Sequence, residues 1–328
     1  MTKFQAVGIG NAVVDVITQC DDAFLTRMEI EKGVMQLVDQ ARGEALYEGM
    51  DNRTQMAGGS VANTIAGLGA LGVSTAFIGR VSDDAPGVDY VREMTEVGTH
   101  VTNAPIAGAD LPTSRSMIFV TPDGERSMNT YLGISTELGP DDVDPDVAAN
   151  AGLLFLEGYL YDKPQGKEAF LAAVSACQDG GGKAGISLSD PFCVERHRDD
   201  FHTLLQQLDF VIGNEAEWKT LYETHDFTTA LDRASKECEL LVCTRSGDEV
   251  VIKAGETTVR VDVDEVSPLD TTGAGDQFAA GFLYGLATGQ SLEVAGRMGC
   301  IAAGEVIGHF GARPEKNVME LFKSAGLV

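Results

Sequence analysis

The sequence has few basic residues for its length. It contains 24 Lys and Arg residues against 50 Asp and Glu residues, and its formal net charge at pH 7 is −26. A field of this sign repels phosphate groups, which argues against nucleic acids and anionic membranes as partners. We attribute most of this charge to solubility. An anionic ligand would need local help from backbone amides, from nearby Arg or Lys side chains, or from Mg²⁺.

Long apolar runs and paired cysteines are also missing. No stretch reaches the roughly 18 consecutive apolar residues of a membrane span, and the first residues lack the pattern of an export signal. The cysteines are scattered without a C-x-x-C pair, which is typical of reduced thiols in a cytoplasmic protein. We therefore expect a cytoplasmic location and no membrane contact. The cysteines are Cys20, Cys177, Cys193, Cys238, Cys243 and Cys300.

Two nucleotide-binding motifs are absent as well. Gly182-Lys183 has neither a Gly five residues before it nor a Ser or Thr after it, so it is no Walker-A loop. Residues 67–72 match G-x-G-x-x-G, but they lie at the end of a predicted helix and before a predicted strand. A dinucleotide site needs the opposite order, a strand before the motif and a helix that begins at it. A dinucleotide-dependent dehydrogenase is therefore not expected.

Strands and helices alternate along much of the 328-residue chain. Such alternation predicts one α/β domain, residues 1–328, with a mainly parallel central sheet and helices on both faces. Ligands of such sheets bind beyond the carboxyl ends of the strands. The predicted strands are 4–10, 75–79, 153–157, 184–188, 209–213, 240–244 and 249–253, and the predicted helices are 61–71, 166–178, 197–208 and 215–222.

Two further predicted strands, 33–38 and 116–120, fall outside this alternation. The second leads into Pro122-Asp123-Gly124, which is a hairpin turn signal. We expect a small β-sheet lid formed from segments within about 16–40 and 99–131. Its apolar residues, which packing of a strand requires in any case, are Met35, Leu37, Met117 and Phe119.

The most informative stretch is 270–278, D-T-T-G-A-G-D-Q-F, where small residues and glycines precede an apolar helical pattern. The first N–H groups of a helix have no partner within the helix, and Gly273 and Gly275 let a ligand approach the backbone. This predicts a cradle for phosphate oxygens. Asp276 would lie at the mouth of the cradle, where it suits a base that takes a proton from an attacking hydroxyl. The plain alternative is a turn with an Asp near a helix start.

The nine residues closely resemble the C-terminal signature of the ribokinase family, also called the phosphofructokinase-B family, and the resemblance covers nearly the whole chain. It implies a ribokinase-like α/β fold and phosphoryl transfer from ATP with Mg²⁺, with a monovalent cation such as K⁺ as a further candidate. It also implies that Asp276 is the catalytic base and that Gly273, Ala274 and Gly275 stabilise charge. Arg126, after the hairpin turn, resembles a lid residue that moves to face the transferred phosphoryl group, although a solvated hairpin Arg is the alternative.

The resemblance also implies a substrate site near the N-terminus. Gly8-x-Gly10-Asn11 with Asp15 resembles the family strand whose Asp holds two sugar hydroxyls. Gly58, Gly59 and Asn63 resemble the glycine pair and the Asn that hold the same sugar. A carboxylate accepts from two O–H donors, and an amide both donates and accepts. From the residues alone, Asp15 could equally cap a turn, and Asn63 could be a polar helix residue that faces solvent.

The nucleotide and metal residues are the third implied group. Asn214 and Glu217 resemble the N-x-x-E motif that organises Mg²⁺ and phosphate, largely through water, although the same pair could simply cap a helix. The loop with Thr244, Ser246 and Gly247 resembles the nucleotide loop, but Ser246 and Glu249 stand where Gly is usual. Residues 304–314, which begin with Gly304, resemble the family's wall beside adenine.

We therefore expect an ATP-dependent kinase that phosphorylates the primary, 5′-type hydroxyl of a ribose-containing substrate. The G-N-x-x-x-D opening and Ser60, where ribokinases proper often carry Lys, resemble adenosine kinases and favour adenosine, with AMP as product. A sugar such as ribose or fructose is the alternative within the same class. An inactive nucleoside or nucleotide sensor is the alternative from another class, and the intact Asp276 argues against it. The expected partners are small molecules, and the protein would be a monomer or a homodimer.

Overall fold

The computed structural model describes residues 4–328, in which the strands form two sheets. The strands are β1 (Phe4–Ile9), β2 (Val13–Gln19), β3 (Met35–Leu37), β4 (Thr54–Gly58), β5 (Thr75–Ile78), β6 (Thr99–Val101), β7 (Ser114–Val120), β8 (Arg126–Tyr131), β9 (Ala151–Glu157), β10 (Lys183–Ser187), β11 (Phe210–Asn214), β12 (Leu240–Thr244), β13 (Val250–Ala254) and β14 (Thr257–Val261). Among residues 4–328, every helix is too short or too polar to cross a membrane. The first three residues of the predicted single domain lie outside the described residues.

The helices pack mainly against the larger sheet, and the predicted ones at 61–71, 166–178 and 215–222 are confirmed within two residues at each end. The predicted helix at 197–208 is shorter and ends at Leu205. The helices are α1 (Asp22–Arg27), α2 (Gln40–Glu48), α3 (Ser60–Ala70), α4 (Ala85–Glu96), α5 (Pro145–Ala149), α6 (Pro164–Asp179), α7 (Pro191–Arg196), α8 (Arg198–Leu205), α9 (Glu215–Leu221), α10 (Phe227–Ala234), α11 (Ala274–Ala287), α12 (Leu292–Val306) and α13 (Val318–Ser324).

The larger sheet has nine strands in the order β14-β13-β12-β11-β10-β9-β1-β5-β6. In this sheet, all neighbouring strands between β12 and β6 in the order given pair in parallel. The pairs β12–β13 and β13–β14, at one edge, are antiparallel. The mainly parallel sheet predicted from the alternation is therefore confirmed.

Side chains alternate between two cores on opposite faces of this sheet. Leu154 and Leu156 of β9 belong to the core that includes α6 to α10, whereas Leu153 and Phe155 belong to the core that includes α3, α4, α11 and α12. Successive side chains of a strand point to opposite faces, so a strand that is apolar on both faces needs helices on both sides. The predicted three-layer arrangement is confirmed.

The smaller sheet has five strands in the order β3-β8-β7-β2-β4. The predicted turn at Pro122-Asp123-Gly124 joins the antiparallel strands β7 and β8. The sheet differs from the predicted lid in two places: β4 lies outside the two predicted segments, and β6 pairs with β5 in the larger sheet. The sequence T-Q-M-A-G of β4 has no apolar alternation, so no pattern predicted this strand. It is partly exposed at the sheet edge, and its backbone pairing with β2 is what defines it. That this sheet acts as a lid stays a prediction.

The motif-like residues 67–72 serve packing and helix termination. Gly72 has φ +85°, and Val73 donates its N–H to the carbonyl of Leu68 at 3.1 Å, which ends α3 in a Schellman-type turn. A Cβ added at Gly67 would lie 2.6 Å from Oε1 of Gln277 and 2.9 Å from Cβ of Ala280. The glycine is therefore needed for the close approach of α3 to α11.

Replacing Gly67 by Ala should destabilise the protein, because the new methyl group overlaps α11. We expect the free energy of unfolding to fall by about 1–3 kcal/mol, a typical cost of overpacking, in chemical denaturation. Gly304→Ala, in α12, is the matched control, since its Cβ would meet only Cγ2 of Val266 at an ordinary contact distance of 3.7 Å. The control should be neutral or gain up to about 1 kcal/mol from helix propensity. Equal stability of the two variants would contradict the packing role of Gly67.

Candidate active site

The predicted cradle is the N-terminus of α11. The helix begins at Ala274, and its N-cap Gly273 has φ +77°. A Cβ at Gly273 would lie 2.6 Å from Cα of Ala312, so both the left-handed backbone and the close contact require glycine. The N–H of Ala274 donates to the carbonyl of Thr271 at 3.2 Å, so the N–H of Gly275 and the positive end of the helix dipole are what favour an anion here.

Asp276 lies in the first turn of α11, and both of its carboxylate oxygens accept hydrogen bonds from α3. The Ser60 hydroxyl donates to Oδ1 at 2.7 Å, and Nδ2 of Asn63 donates to Oδ2 at 3.1 Å. Burial raises the pKa of Asp276 to about 6, although these two donors oppose the shift. A carboxyl with this pKa is mainly ionised at neutral pH and can still accept a proton, which is the property required of a general base.

Two cavities meet at the cradle. One is about 770 Å³ and is lined by the predicted substrate residues Asn11, Asp15, Gly59 and Asn63 together with Asp276. The other is about 1110 Å³ and lies on the side of the predicted nucleotide loop. Residues that line both cavities are Asn214, Thr244, Thr271 and Gly275. The two cavities therefore adjoin at the start of α11.

Asp15 and Gly59 line the first cavity, and Gly58 packs directly against Asp15. A Cβ at Gly58 would overlap the Asp15 carboxylate, and one at Gly59, where φ is +100°, would overlap the carbonyl oxygen of Asn11. Burial raises the pKa of Asp15 to about 7, while Arg313 opposes the rise and Asp276 adds to it. The structure thus brings the predicted substrate residues together, and their contact with a substrate stays a prediction.

Glu157, at the end of β9, belongs to this site and was missed from the sequence. Its side chain is buried; Oε1 accepts from the backbone N–H and from Nδ2 of Asn11, both at 2.7 Å, and Oε2 accepts from the N–H of Val61 at 3.1 Å. Glu157 thereby connects the Asn11 loop to the start of α3. A Glu directly after a buried apolar strand, F-L-E-G, was the available signal.

Residues 304–314, which the resemblance places beside adenine, contact more than one part of the site. Gly304 lines the nucleotide-side cavity, but Ala312 packs against Gly273. Nε of Arg313 donates to Oδ1 of Asn63 at 3.3 Å, which places this Arg on the substrate side. The backbone turns under the cradle at Gly311, where φ is +109°. That residues 304–314 lie beside adenine stays a prediction.

The predicted lid residue Arg126 is buried in an ion pair. Its Nη2 lies 2.5 Å from Oδ2 of Asp270, with 7% and 3% of the two side chains exposed, and Nη1 donates to Oγ1 of Thr272 at 3.2 Å. Among the described residues, Arg126 lines neither of the two cavities. The guanidinium group therefore has to move if it is to face a phosphoryl group, and its catalytic role stays a prediction. The solvated hairpin Arg is excluded in this conformation.

Asn214 and Glu217 form a complete helix cap at the start of α9. Oδ1 of Asn214 accepts from the N–H of Glu217 at 2.9 Å, while Oε2 of Glu217 accepts from the N–H of Asn214 at 2.8 Å. Burial raises the pKa of Glu217 to about 7. The capping interpretation is confirmed, and both residues also line the substrate-side cavity.

The same residues suit Mg²⁺ only through water. Within residues 4–328 no group of three or more His, Cys, Asp or Glu could hold a metal ion directly. Mg²⁺ retains several waters and binds substrate phosphates with few protein carboxylates, so a capped Asn214–Glu217 pair fits an outer position. These residues would hold the metal's water shell, and the metal would neutralise phosphate charge.

The predicted nucleotide-loop residues Thr244, Ser246 and Gly247 all line the second cavity. Ser246 has φ +55°, a left-handed conformation that costs a non-glycine residue energy. The structure thus explains why Gly is usual at this position in the family. Apolar residues that complete the cavity are Val250, Val263, Val266, Phe278 and Ile307.

Residues 35–317 match the pfkB family carbohydrate kinase model. The chain belongs to the pfkB family of carbohydrate kinases. This kinase is similar to the crystal structure of a probable sugar kinase from Rhizobium etli CFN 42, with 43% identity, a TM-score of 0.93 and 100% of both chains covered. It is also similar to the adenosine kinase from Sinorhizobium meliloti, with 43% identity, a TM-score of 0.92, and coverage of 99% of this chain and 100% of that one.

An uncharacterized sugar kinase of Archaeoglobus fulgidus is 29% identical over 75% of this chain and 96% of its own. The ribokinase-like fold expected from the sequence is confirmed by these similarities. The kinase is a phosphotransferase with an alcohol group as acceptor, of the sugar and nucleoside class. Membership of the family implies ATP as the phosphoryl donor, typically with Mg²⁺.

The site carboxyls should make the protein less stable as the pH rises. The pKa values of Asp15, Glu157 and Glu217 are raised by burial to about 7 and that of Asp276 to about 6. An acid with a raised pKa in the folded state stabilises the fold below its unfolded pKa, and this contribution is lost as pH rises through the folded value. We expect the free energy of unfolding to fall between about pH 4.5 and pH 8.

Glu157→Gln tests whether the buried carboxyls cause this fall in stability with pH, because Gln does not titrate. Its free energy of unfolding should fall with pH by up to about 1.4 kcal/mol per pH unit less steeply than that of the wild type. Glu168→Gln removes the charge of an exposed Glu in α6 and is the control, whose slope should match the wild type. The same slope in both variants would contradict the assigned burial effect.

Proposed function

We propose that this kinase transfers the γ-phosphoryl group of ATP to the primary, 5′-type hydroxyl of a nucleoside, with adenosine as substrate and AMP as product. The observation that carries the proposal is the position of Asp276, at the start of α11 where the two cavities meet, with its carboxylate held by Ser60 and Asn63.

The proposed reaction uses Asp276 as the base and the first turn of α11 as the anion site. Asp276 takes the proton of the substrate hydroxyl while its oxygen attacks the γ-phosphorus in line with the leaving ADP oxygen. The backbone N–H of Gly275 and the positive end of α11 stabilise the charge that develops on the phosphoryl oxygens, and the N–H of Ala274 joins them if it leaves the carbonyl of Thr271. Mg²⁺, when bound, neutralises phosphate charge. Positioning and electrostatics account for most of the rate increase in such reactions.

Asp15, Asn11 and Asn63 would hold the ribose. Their side chains line the same cavity, and an ionised Asp15 would accept hydrogen bonds from two sugar hydroxyls. The substrate hydroxyls would donate hydrogen bonds to the ionised form of Asp15. These bonds would lower the pKa of Asp15 and so offset the rise that burial causes.

Apolar side chains at the outer part of this cavity support a nucleoside over a free sugar. Phe192 of α7 is 74% exposed, and Met35 and Leu37 of β3 are 43% and 55% exposed, although all three are large apolar residues. All three line the substrate-side cavity. A purine has two flat apolar faces and could cover them, whereas a free ribose is too small and too polar to do so. The similarity to the Sinorhizobium meliloti adenosine kinase also supports this choice.

A sugar kinase is the second candidate, because the Rhizobium etli and Archaeoglobus fulgidus relatives are named as such. The hydroxyl-binding residues and Asp276 would serve a sugar equally well. The outer apolar residues would then face the closed lid instead of a base. An inactive sensor is a candidate of another class, which the donor-held Asp276 makes less favourable.

Release of ADP from ATP–Mg²⁺ should be measured with adenosine, inosine, guanosine, cytidine, ribose and fructose. We expect turnover with adenosine and none with the free sugars. Asp276→Asn should lower kcat by several orders of magnitude, since it removes the base, while adenosine still raises the melting temperature. Turnover with sugars alone would overturn the nucleoside assignment. Binding without turnover in the wild type would favour the sensor.

Phe192→Ala tests recognition of the base. We expect the KM for adenosine to rise about tenfold, with little change in kcat, because an aromatic contact of roughly 1–1.5 kcal/mol is lost. Leu171→Ala, at an exposed apolar position of α6 outside the cavity, is the control and should leave KM unchanged. An unchanged KM in both variants would remove Phe192 from the nucleoside site.

A further inference from the structure

Ser60 is the first residue of α3, and its hydroxyl makes the shorter of the two hydrogen bonds to the Asp276 carboxylate. The distance from Oγ to Oδ1 is 2.7 Å, in the range of a charge-assisted O–H···O⁻ bond. In the sequence, Ser60 stands where ribokinases proper often carry Lys, and no local pattern there predicts a contact with Asp276.

The other carboxylate oxygen is held through a second set of contacts. Nδ2 of Asn63 donates to Oδ2 of Asp276, and Oδ1 of Asn63 accepts from Nε of Arg313. An arginine can only donate, so this bond fixes the Asn63 amide with its NH₂ group toward Asp276. Gln277 Nε2 also donates to the backbone carbonyl of Asn63 at 3.2 Å, which ties this part of α3 to α11. The carboxylate is thus held at both oxygens.

We propose that Ser60 is a positioning residue for phosphoryl transfer, and that its hydroxyl holds the Asp276 carboxylate in the orientation in which a free lone pair meets the substrate hydroxyl. This inference rests on the proposed function of Asp276 as the base. In the step concerned, the O–H proton of the substrate passes to Asp276, a bond forms from the hydroxyl oxygen to the γ-phosphorus, and the bond from that phosphorus to the ADP oxygen breaks.

The physical reason is that a carboxylate attached by one methylene group can rotate. Two donors from one rigid helix remove this freedom before the substrate arrives, so the base does not have to be reoriented during the reaction. The Ser60 donor also favours the ionised form, and it opposes the rise in pKa that burial causes at Asp276. Loss of the hydroxyl should therefore impair orientation and raise the pKa together.

Other titratable groups face Asp276 from the surrounding elements. They are Asp15 in β2, Glu157 at the end of β9 and Tyr159 just after it, and Asp15 and Glu157 have pKa values raised by burial to about 7. Arg313 is the nearby cation, next to Asn63. The acid limb of a pH profile therefore reports more than one group. The test is therefore the difference between two matched variants in the pH at which the acid limb of kcat/KM lies.

Ser60→Ala and Thr64→Val form this matched pair. Both remove one hydroxyl from α3 that donates to Asp276, but the Thr64 hydroxyl donates to the backbone carbonyl at 3.0 Å and not to the carboxylate. Steady-state kcat and KM should be measured from about pH 5 to pH 9 with ATP–Mg²⁺ and the nucleoside that the wild type accepts best.

For Ser60→Ala we expect the acid limb of kcat/KM to move up by roughly half to one pH unit, as after loss of a donor to a carboxylate. Near pH 6 we expect kcat to fall about tenfold, because both the raised pKa and the lost orientation lower it. Near pH 8.5 the base is ionised in both proteins, and the lost orientation alone should lower kcat about threefold. The KM for the nucleoside should stay within about threefold. Thr64→Val should not move the limb. Ser60→Cys keeps the shape with a weaker donor and should give an intermediate shift; it decides the question if Ser60→Ala does not fold.

A Ser60→Ala limb that coincides with that of Thr64→Val would overturn the inference. A lower kcat with an unshifted limb, or a change confined to KM, would also overturn it, because a merely structural or substrate-binding role would act in that way. Absence of wild-type turnover with every nucleoside and sugar would instead overturn the proposed function, and this inference with it. Wild-type turnover with an unaffected Ser60 variant overturns this inference alone.

Discussion

The active-site geometry depends on the contact between α3 and α11. Ser60 lies beside Asp276 and Gly67 beside Ala280, so the two helices run in the same direction and their N-termini lie at the same end. Gly67 permits this contact because any side chain would separate the helices. The contact brings two positive helix ends to one point and places two donors of α3 on the carboxylate of α11. A shift of about one ångström between the helices would disturb the donors, the base and the cradle together.

This arrangement conflicts with the acidity of the chain. A sequence with a net charge of −26 places Asp15, Glu157 and Asp276 around one cleft, where burial raises the pKa of each. Their charges are balanced locally by backbone N–H groups, by amide and hydroxyl donors and by Arg313. Such a cleft is less stable than an apolar one, but it holds a carboxyl, Asp276, whose pKa is raised toward neutrality, as the proposed base requires. The long-range field is thus unfavourable for ATP, and the start of α11 supplies the local attraction.

The second sheet is connected to this centre through Arg126. Its ion pair with Asp270 is buried, and Asp270 also accepts from the N–H of Thr272 at 3.0 Å and from that of Gly311 at 2.9 Å. A buried ion pair contributes more to a defined geometry than to net stability. The pair links the first residue of β8 to the loop before α11. A movement of the smaller sheet at this residue would therefore break the pair or displace the loop that leads into the cradle.

The sequence by itself determined the α/β class, the parallel sheet and the cradle, because apolar alternation, helical spacing and glycines with a left-handed backbone are local properties. The structure also brings Asp276, Asp15 and Asn63 to one cavity, as expected, although only the family resemblance related residues so distant in the chain. The tertiary structure decided which groups hold these residues. Glu157 reaches Asn11 and Val61, Ser60 reaches Asp276, and Arg313 reaches Asn63 instead of the nucleotide side. Hydrogen bonds across 96 to 250 residues depend on how strands and helices pack, and no local pattern in the sequence records them.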